Sequence, residues 1–249
     1  RCCIIDPLPY AGGNLVTARG LVRRDRAPTP TDNSQPGKVR ITIRRAAVMK
    51  RTFEATRYVS PVTGADGKID VAVTYLEMRH WVAAAQPARP LGQLAIIQAR
   101  DPTVGFYRFL YNTAGEPWLW YERRVLDDSA LETIICDQRV RIYVLYVDGV
   151  PAGYAELDQR VSGEVELAYF AIFPHFIGRR LGPWLLDWAV NTAWSFSPER
   201  LWVNTCSLDH PKALLIYQQR GFAPYRQENV RIRNPKQQPG WQVDSIERA

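Results

Sequence analysis

Apolar and polar positions alternate with a period of two over Asp70–Glu77, and Arg139–Val147, Val150–Asp158, Glu164–Phe173 and Leu201–Ser207 also read as strands, five in all. Asp148-Gly149 is a hairpin turn between the second and third of these, and Ser162-Gly163 turns the chain into the fourth, which Pro174 stops. Four segments have helical spacing. Pro102-Thr103 opens an aromatic helix through Phe106, Phe109, Leu110 and Thr113, closed by Gly115. The capping-box spacing Ser129-Ala-Leu-Glu132 starts a second, running to about Cys136. In the third, Leu181, Leu185, Trp188, Ala189 and Thr192 share one face, with Asp187 and Asn191 on the other. The fourth starts at Pro211 and ends at Gly221. Ala223–Arg233 can add one or two short strands, and the stretch between Glu77 and Pro102 reads as a Pro/Ala-rich crossing. The order β-α-α-β-β-β-α-β-α-β implies an α/β fold, a mixed sheet flanked by helices on both faces.

The 249 residues suffice for one large domain with appendages, and 46% hydrophobic with 23% charged residues is ordinary globular composition. The net charge of +7 suggests a nucleic-acid partner until it is mapped. Residues 1–55 hold eleven Lys/Arg against four acids, and the remainder balances. This arm includes Ala27-Pro-Thr-Pro-Thr-Asp-Asn-Ser-Gln-Pro-Gly37, which cannot bury a core, so residues 1–66 read as a basic, disordered extension. Residues 67–235 form the domain and 236–249 a C-terminal tail. Arg1 stands first and Met49 lies just ahead of the regular region, so residues 1–48 are expected to lie outside the native product. Cys2, Cys3, Cys136 and Cys206 have no metal-ligand spacing, and His80, His175 and His210 are scattered, so neither a metal site nor a disulfide framework is expected. The apolar run Ile142–Val147 is far too short to span a membrane. A secretory leader is not recognisable, and the expected location is cytoplasmic.

The segment of greatest chemical interest follows the fourth strand. Phe176-Ile-Gly-Arg-Arg-Leu-Gly182 is a basic, glycine-containing turn leading directly into a helix. Such a turn presents unpaired peptide N–H groups with the helix dipole behind them, a site for phosphate or diphosphate.

The stretch from about 70 to 233 resembles the GNAT superfamily of N-acetyltransferases. Three pieces in fixed order carry the resemblance: Glu166-Leu-Ala-Tyr-Phe-Ala-Ile-Phe-Pro174, Ile177-Gly-Arg-Arg-Leu-Gly182, and His210-Pro-Lys-Ala-Leu-Leu-Ile-Tyr-Gln-Gln-Arg-Gly-Phe222. It implies a GNAT-like acyltransferase fold whose sheet splays between its fourth and fifth strands, with acetyl-CoA as co-substrate in the gap. It also implies transfer of acetyl to a primary amine of a small molecule, or to a protein amine, by direct attack in a ternary complex. The diphosphate would lie on Ile177, Gly178, Arg179, Arg180, Leu181 and Gly182. The family pattern is Gln/Arg-x-x-Gly-x-Gly/Ala. Here Ile177 takes the Gln/Arg place and Arg180 that of the first glycine. Arg180 can serve if its backbone is helical and its guanidinium adds a phosphate contact.

The same resemblance assigns roles in catalysis. Peptide N–H groups of Phe170, Ala171 and Ile172 would bind the developing oxyanion. Glu166 aligns with a general base of some members, and alternation puts it on the face of Ala168 and Phe170, with Glu164 as the alternate base. Tyr217 matches a tyrosine that protonates the departing thiolate, His210 a cofactor-contacting Asn. Packing beside Leu214 and Phe222 is the other reading for Tyr217, helix capping for His210, a solvent-facing strand position for Glu166. Cys206 packs rather than attacks.

Tyr107, Tyr111, Trp118 and Trp120 crowd the region where the resemblance places the acceptor wall, beside Glu116 and Glu122. They would suit a cationic or amphipathic amine, although such a stripe also makes core. The expected partner is therefore a small amine. No membrane is expected, nucleic acid is disfavoured, and a homodimer stays open. Two alternatives stand beside the enzyme: a CoA-binding regulator without turnover, and nucleic-acid binding through the basic arm.

Overall fold

In the computed structural model the described residues are 62–238 and 241, and they carry a seven-stranded sheet in the order β2-β3-β4-β5-β6-β1-β7. The strands are β1 (Lys68–Met78), β2 (Leu94–Ala99), β3 (Val140–Val147), β4 (Val150–Asp158), β5 (Glu164–Ile172), β6 (Arg200–Cys206) and β7 (Ala223–Arg233). The α-helices are α1 (Val104–Gly115), α2 (Asp128–Ile135), α3 (Leu181–Trp194) and α4 (Ala213–Arg220). All paired strands are antiparallel except β5 and β6. The expected mixed sheet with helices on both faces is therefore present.

Each face has its own core. Tyr107, Leu110 and Tyr111 of α1 and Leu131 and Ile135 of α2 pack on Ile142, Val144, Tyr154 and Tyr169. On the opposite face Leu185, Leu186, Ala189 and Val190 of α3 and Tyr217 of α4 cover Leu145, Ala155, Leu157, Leu167 and Val203. Thr103 caps α1 through Oγ1, which accepts from the Phe106 N–H at 3.2 Å.

Four local expectations are corrected. The crossing contains β2, an edge strand whose apolar residues stand adjacent in Leu94-Ala-Ile-Ile97 and so lack a clean alternation. Asp127, not Ser129, caps α2, because its carboxylate accepts from the Ala130 N–H at 2.8 Å. Helix α4 begins at Ala213, after a turn in which the Ala213 N–H reaches the His210 carbonyl at 2.8 Å. Finally, β7 is one strand of 11 residues, paired along β1 with one register shift.

Two irregularities create the site. Strand β5 carries a bulge: Glu156 pairs with Tyr169 but Leu157 with Leu167, so Ala168 is the extra residue. Beyond it, Phe170 packs toward α3 and α4, while Ala168 stays with the α1 core. The expected shared face of Glu166, Ala168 and Phe170 is thus broken by the bulge. The second irregularity is the end of the parallel ladder. β5 and β6 pair only at Glu164–Arg200, Val165–Leu201 and Glu166–Trp202, and then separate.

The expected N-terminal extension lies mostly outside the described residues, as does most of the tail. Trp241 is buried and sits under Arg124, whose guanidinium carbon is 4.5 Å from the ring centroid.

Candidate active site

Where β5 and β6 part, a cleft of about 360 Å³ opens, walled by β5, the loop before α3, the start of α4 and the turn after α1. The β5 wall offers peptide donors by simple alternation. The Phe173 N–H bonds the Ala152 carbonyl at 2.8 Å, so the Ala171 N–H also faces β4, and those of Phe170 and Ile172 face the gap. Gly153 permits this pairing, because a Cβ there would stand 2.4 Å from the Ala171 carbonyl oxygen.

The loop supplies a second set of donors. Arg179 N–H reaches the Phe176 carbonyl at 3.4 Å, whereas the N–H groups of Gly178, Arg180, Leu181 and Gly182 have no acceptor among the described residues. They sit at the N-terminus of the 14-residue helix α3, where the dipole favours an anion. A Cβ at Gly178 would meet nothing within 4 Å, and one at Gly182 only Ile172 at 3.9 Å, so the space before these amides is open. Arg180 takes φ 61°, ψ 16°. Its backbone is left-handed, so the helical condition set for Arg180 is not met; the chain turns here as a glycine would, at roughly 1–2 kcal/mol for an L-residue. The guanidinium is exposed at the cleft rim.

On the α4 side Tyr217 is buried, its ring centroid 6.2 Å from Phe170 and 5.9 Å from Phe222. His210 lies where the chain leaves β6. Its Nδ1 accepts from the Lys212 N–H at 3.1 Å, which in the neutral ring puts the proton on Nε2. Burial, and then the nearby Lys212 charge, holds this imidazole below its usual range.

The cleft therefore gathers Phe170, Ala171, Ile172, Ile177, Gly178, Arg180, Leu181, Gly182, His210 and Tyr217, together with Trp118 and Trp120. Five candidates do not line it, among them Glu164, which pairs with Arg200 at 3.3 Å. Arg179 stacks on Phe176, its guanidinium carbon 4.8 Å from the ring centroid. Glu166 is half-buried on β5, four residues and about 13 Å of strand before Phe170. Tyr107 and Tyr111 are core: both are essentially inaccessible, and Tyr107 donates to Glu156 at 2.6 Å. Glu156 is fully buried and also takes Arg123 at 2.9 Å. Burial holds the hydroxyls of Tyr107, Tyr111 and Tyr169 well above the usual tyrosine range.

Sequence reasoning missed Asp209, which is 6% exposed and lines the cleft. Its neighbour His210 and the following Pro were visible as a motif, but nothing in the spacing tied the carboxylate to Trp120. Gly115 brings that tryptophan in: a Cβ on Gly115 would stand 2.4 Å from the Trp120 Cβ, so only glycine lets the chain close this turn. Among the described residues no cluster of His, Cys, Asp and Glu could hold a metal ion, and no helix is long and apolar enough to cross a membrane.

No curated protein matches the chain. Among solved structures it is similar to a GCN5-related N-acetyltransferase from Sphaerobacter thermophilus, at 13% identity and TM-score 0.47, covering 69% of this chain and 51% of that one. A GCN5-related N-acetyltransferase from Kribbella flavida is 20% identical with TM-score 0.45, over 68% of this chain and 60% of the other. An aminoglycoside acetyltransferase from an uncultured soil metagenomic sample is 14% identical with TM-score 0.43, over 51% and 87%. The chain thus spans less than two thirds of the length of the first two. Residues 104–222, from the start of α1 to the residue before β7, match the model of the Acetyltransferase (GNAT) family. The chain carries a GNAT-family acetyltransferase domain.

Proposed function

We propose that this protein transfers an acetyl group from acetyl-CoA to a primary amine by direct attack, without a covalent enzyme intermediate. The observation that carries this reading is the coincidence of two donor sets in one cleft. Four peptide N–H groups with no acceptor among the described residues stand in the loop before α3 and its first turn, and two more face the gap from β5. The first set fits a diphosphate, and the open space at Gly178 and Gly182 lets phosphate oxygens come close to the backbone. Acetyl-CoA supplies the activated acyl group as a thioester.

The chain's own groups then have separate tasks. The Phe170 and Ile172 N–H groups hold negative charge on the carbonyl oxygen as the amine nitrogen bonds to carbon. When the carbon–sulfur bond breaks, the electron pair leaves on sulfur, and Tyr217 donates its hydroxyl proton there. The nitrogen's surplus proton leaves through water to Glu166, since the strand distance is too long for direct transfer. His210 donates from Nε2 within the cleft. Arg180 adds positive charge at the phosphate loop, and Lys212 lines the same cleft beside His210.

Initial rates with both substrates varied test the direct mechanism: intersecting reciprocal plots are expected, and parallel plots would indicate a covalent intermediate instead. Tyr217→Phe is expected to lower kcat at least about tenfold with acetyl-CoA affinity within about twofold. A smaller loss removes the acid role.

A further inference from the structure

Helix α4 carries Tyr217, yet little in its own eight residues fixes where it lies. No side chain caps its N-terminus, and so short a helix is marginal unless other elements hold it. Ala213, Leu214 and Ile216 are half-buried, whereas Leu215, Gln218 and Gln219 are exposed. The helix buries Tyr217 and Arg220, three residues apart and therefore on one face.

A guanidinium withdrawn from water needs partners, and Arg220, 6% exposed, finds them on two other segments. Its Nε lies 2.8 Å from Asp187 Oδ1, and one terminal nitrogen donates to Asn191 Oδ1 at 3.2 Å, both acceptors on α3. The other terminal nitrogen donates to the Val82 carbonyl at 3.0 Å, in the segment that leaves β1. Asn191 is itself placed: its Nδ2 donates to Asp187 Oδ2 at 3.2 Å, and its Oδ1 also accepts from Trp81 Nε1 at 3.0 Å. A planar fork holding three acceptors fixes the end of α4 in both position and rotation. It fixes it against α3, the helix whose first turn belongs to the phosphate loop. None of these five side chains and carbonyls lines the cleft, and the transfer chemistry above gives them no part.

We propose that Arg220 is the positioning residue for Tyr217, aiming its hydroxyl at the departing sulfur. This inference rests on the acid role given to Tyr217. A general acid must stand within hydrogen-bond reach of the atom it protonates, so a helix end released from Arg220 loses turnover while the loop keeps its grip on the cofactor.

A double-mutant cycle on the full chain tests it. Coenzyme A release is followed with 2-phenylethylamine, spermidine or kanamycin, whichever the wild type acetylates fastest. Arg220→Gln is expected to lower kcat at least about tenfold, with the acetyl-CoA KM within about twofold. In the Tyr217→Phe protein the same substitution is expected to change kcat less than about twofold, because the group it positions has lost its proton donor. Arg220→Lys, which keeps the charge without the fork, is expected to lose only about threefold. Should Arg220→Gln fail to fold, Asn191→Ala, at an exposed position, is expected to lower kcat about threefold in wild type and to leave Tyr217→Phe unchanged. An equal loss in both backgrounds, an unchanged kcat in the folded variants, or a loss confined to the acetyl-CoA KM overturns the inference. A loss well under tenfold in Tyr217→Phe alone removes the acid role and this inference with it. Wild type that binds acetyl-CoA and acetylates none of the three amines removes both as well, and leaves the cofactor reading intact.

Discussion

Arg180→Gly is predicted to make the protein more stable and a weaker acetyl-CoA binder. The backbone at this position is left-handed, φ 61°, a conformation that costs an L-residue roughly 1–2 kcal/mol and glycine essentially nothing. Glycine also loosens the unfolded chain, which takes back about 0.4–1 kcal/mol. The net gain is on the order of 0.5–1 kcal/mol, or roughly 1–4 °C in Tm for a domain of this size. Affinity moves the other way. The guanidinium is exposed, so its charge-assisted contact belongs at the low end of about 1.5–3 kcal/mol, corresponding to about tenfold in Kd. Arg180→Ala separates the two effects, because it removes the guanidinium and keeps the strained backbone; tenfold weaker binding with no gain in Tm is expected. Scanning calorimetry and isothermal titration with acetyl-CoA read both quantities. If Arg180→Gly binds acetyl-CoA more tightly than wild type, the side chain obstructs the loop and the reasoning fails.

Three further expectations concern the walls of the site. Gly153→Ala drives a Cβ to within 2.4 Å of the Ala171 carbonyl oxygen, so it should destabilise by about 1–3 kcal/mol in urea unfolding and lower kcat by disturbing the β5 donors; unaltered kcat would detach Gly153 from catalysis. Arg123→Met leaves the fully buried Glu156 without its cation and should cost about 3–5 kcal/mol by the same assay, whereas a loss under about 1 kcal/mol would mean the core readily accommodates the carboxylate. His210 titrates in the folded state below its ordinary value of 6.5, so its contribution is complete above that pH and declines as pH falls through the lowered value. Unfolding midpoints should therefore drop below about pH 6.5 more steeply in wild type than in His210→Gln, and identical slopes would contradict the lowering by burial and the Lys212 charge.

Much of this site could be read from the chain because its parts are local. A strand that stops at Pro174, a turn containing Gly178 and a helix starting at Leu181 are neighbours in sequence, and the amides they present follow from backbone geometry alone. Features that depend on pairing between distant segments were hidden. Alternation around Glu166 gives no sign of the extra residue at Ala168, because a bulge is fixed by the register with Glu156 and Leu157 on the neighbouring strand. Tyr107 and Tyr111 look like a binding stripe until Glu156 and Arg123 arrive from other elements and bury with them. Strand β2 lacks alternation because, at the sheet edge, it has only β3 to pair with, and its Ile97 remains 55% exposed. Asp209 gains its place from Trp120, 89 residues away in the chain.

The central claim is that the peptide groups of Gly178, Arg180, Leu181 and Gly182 grip a diphosphate. The direct measurement is a titration of ¹⁵N-labelled protein with coenzyme A, followed at those four amides. The account predicts that they show the largest downfield proton shifts in the spectrum, and that coenzyme A stripped to pantetheine leaves them in place. Binding of coenzyme A with these four signals unmoved would contradict it.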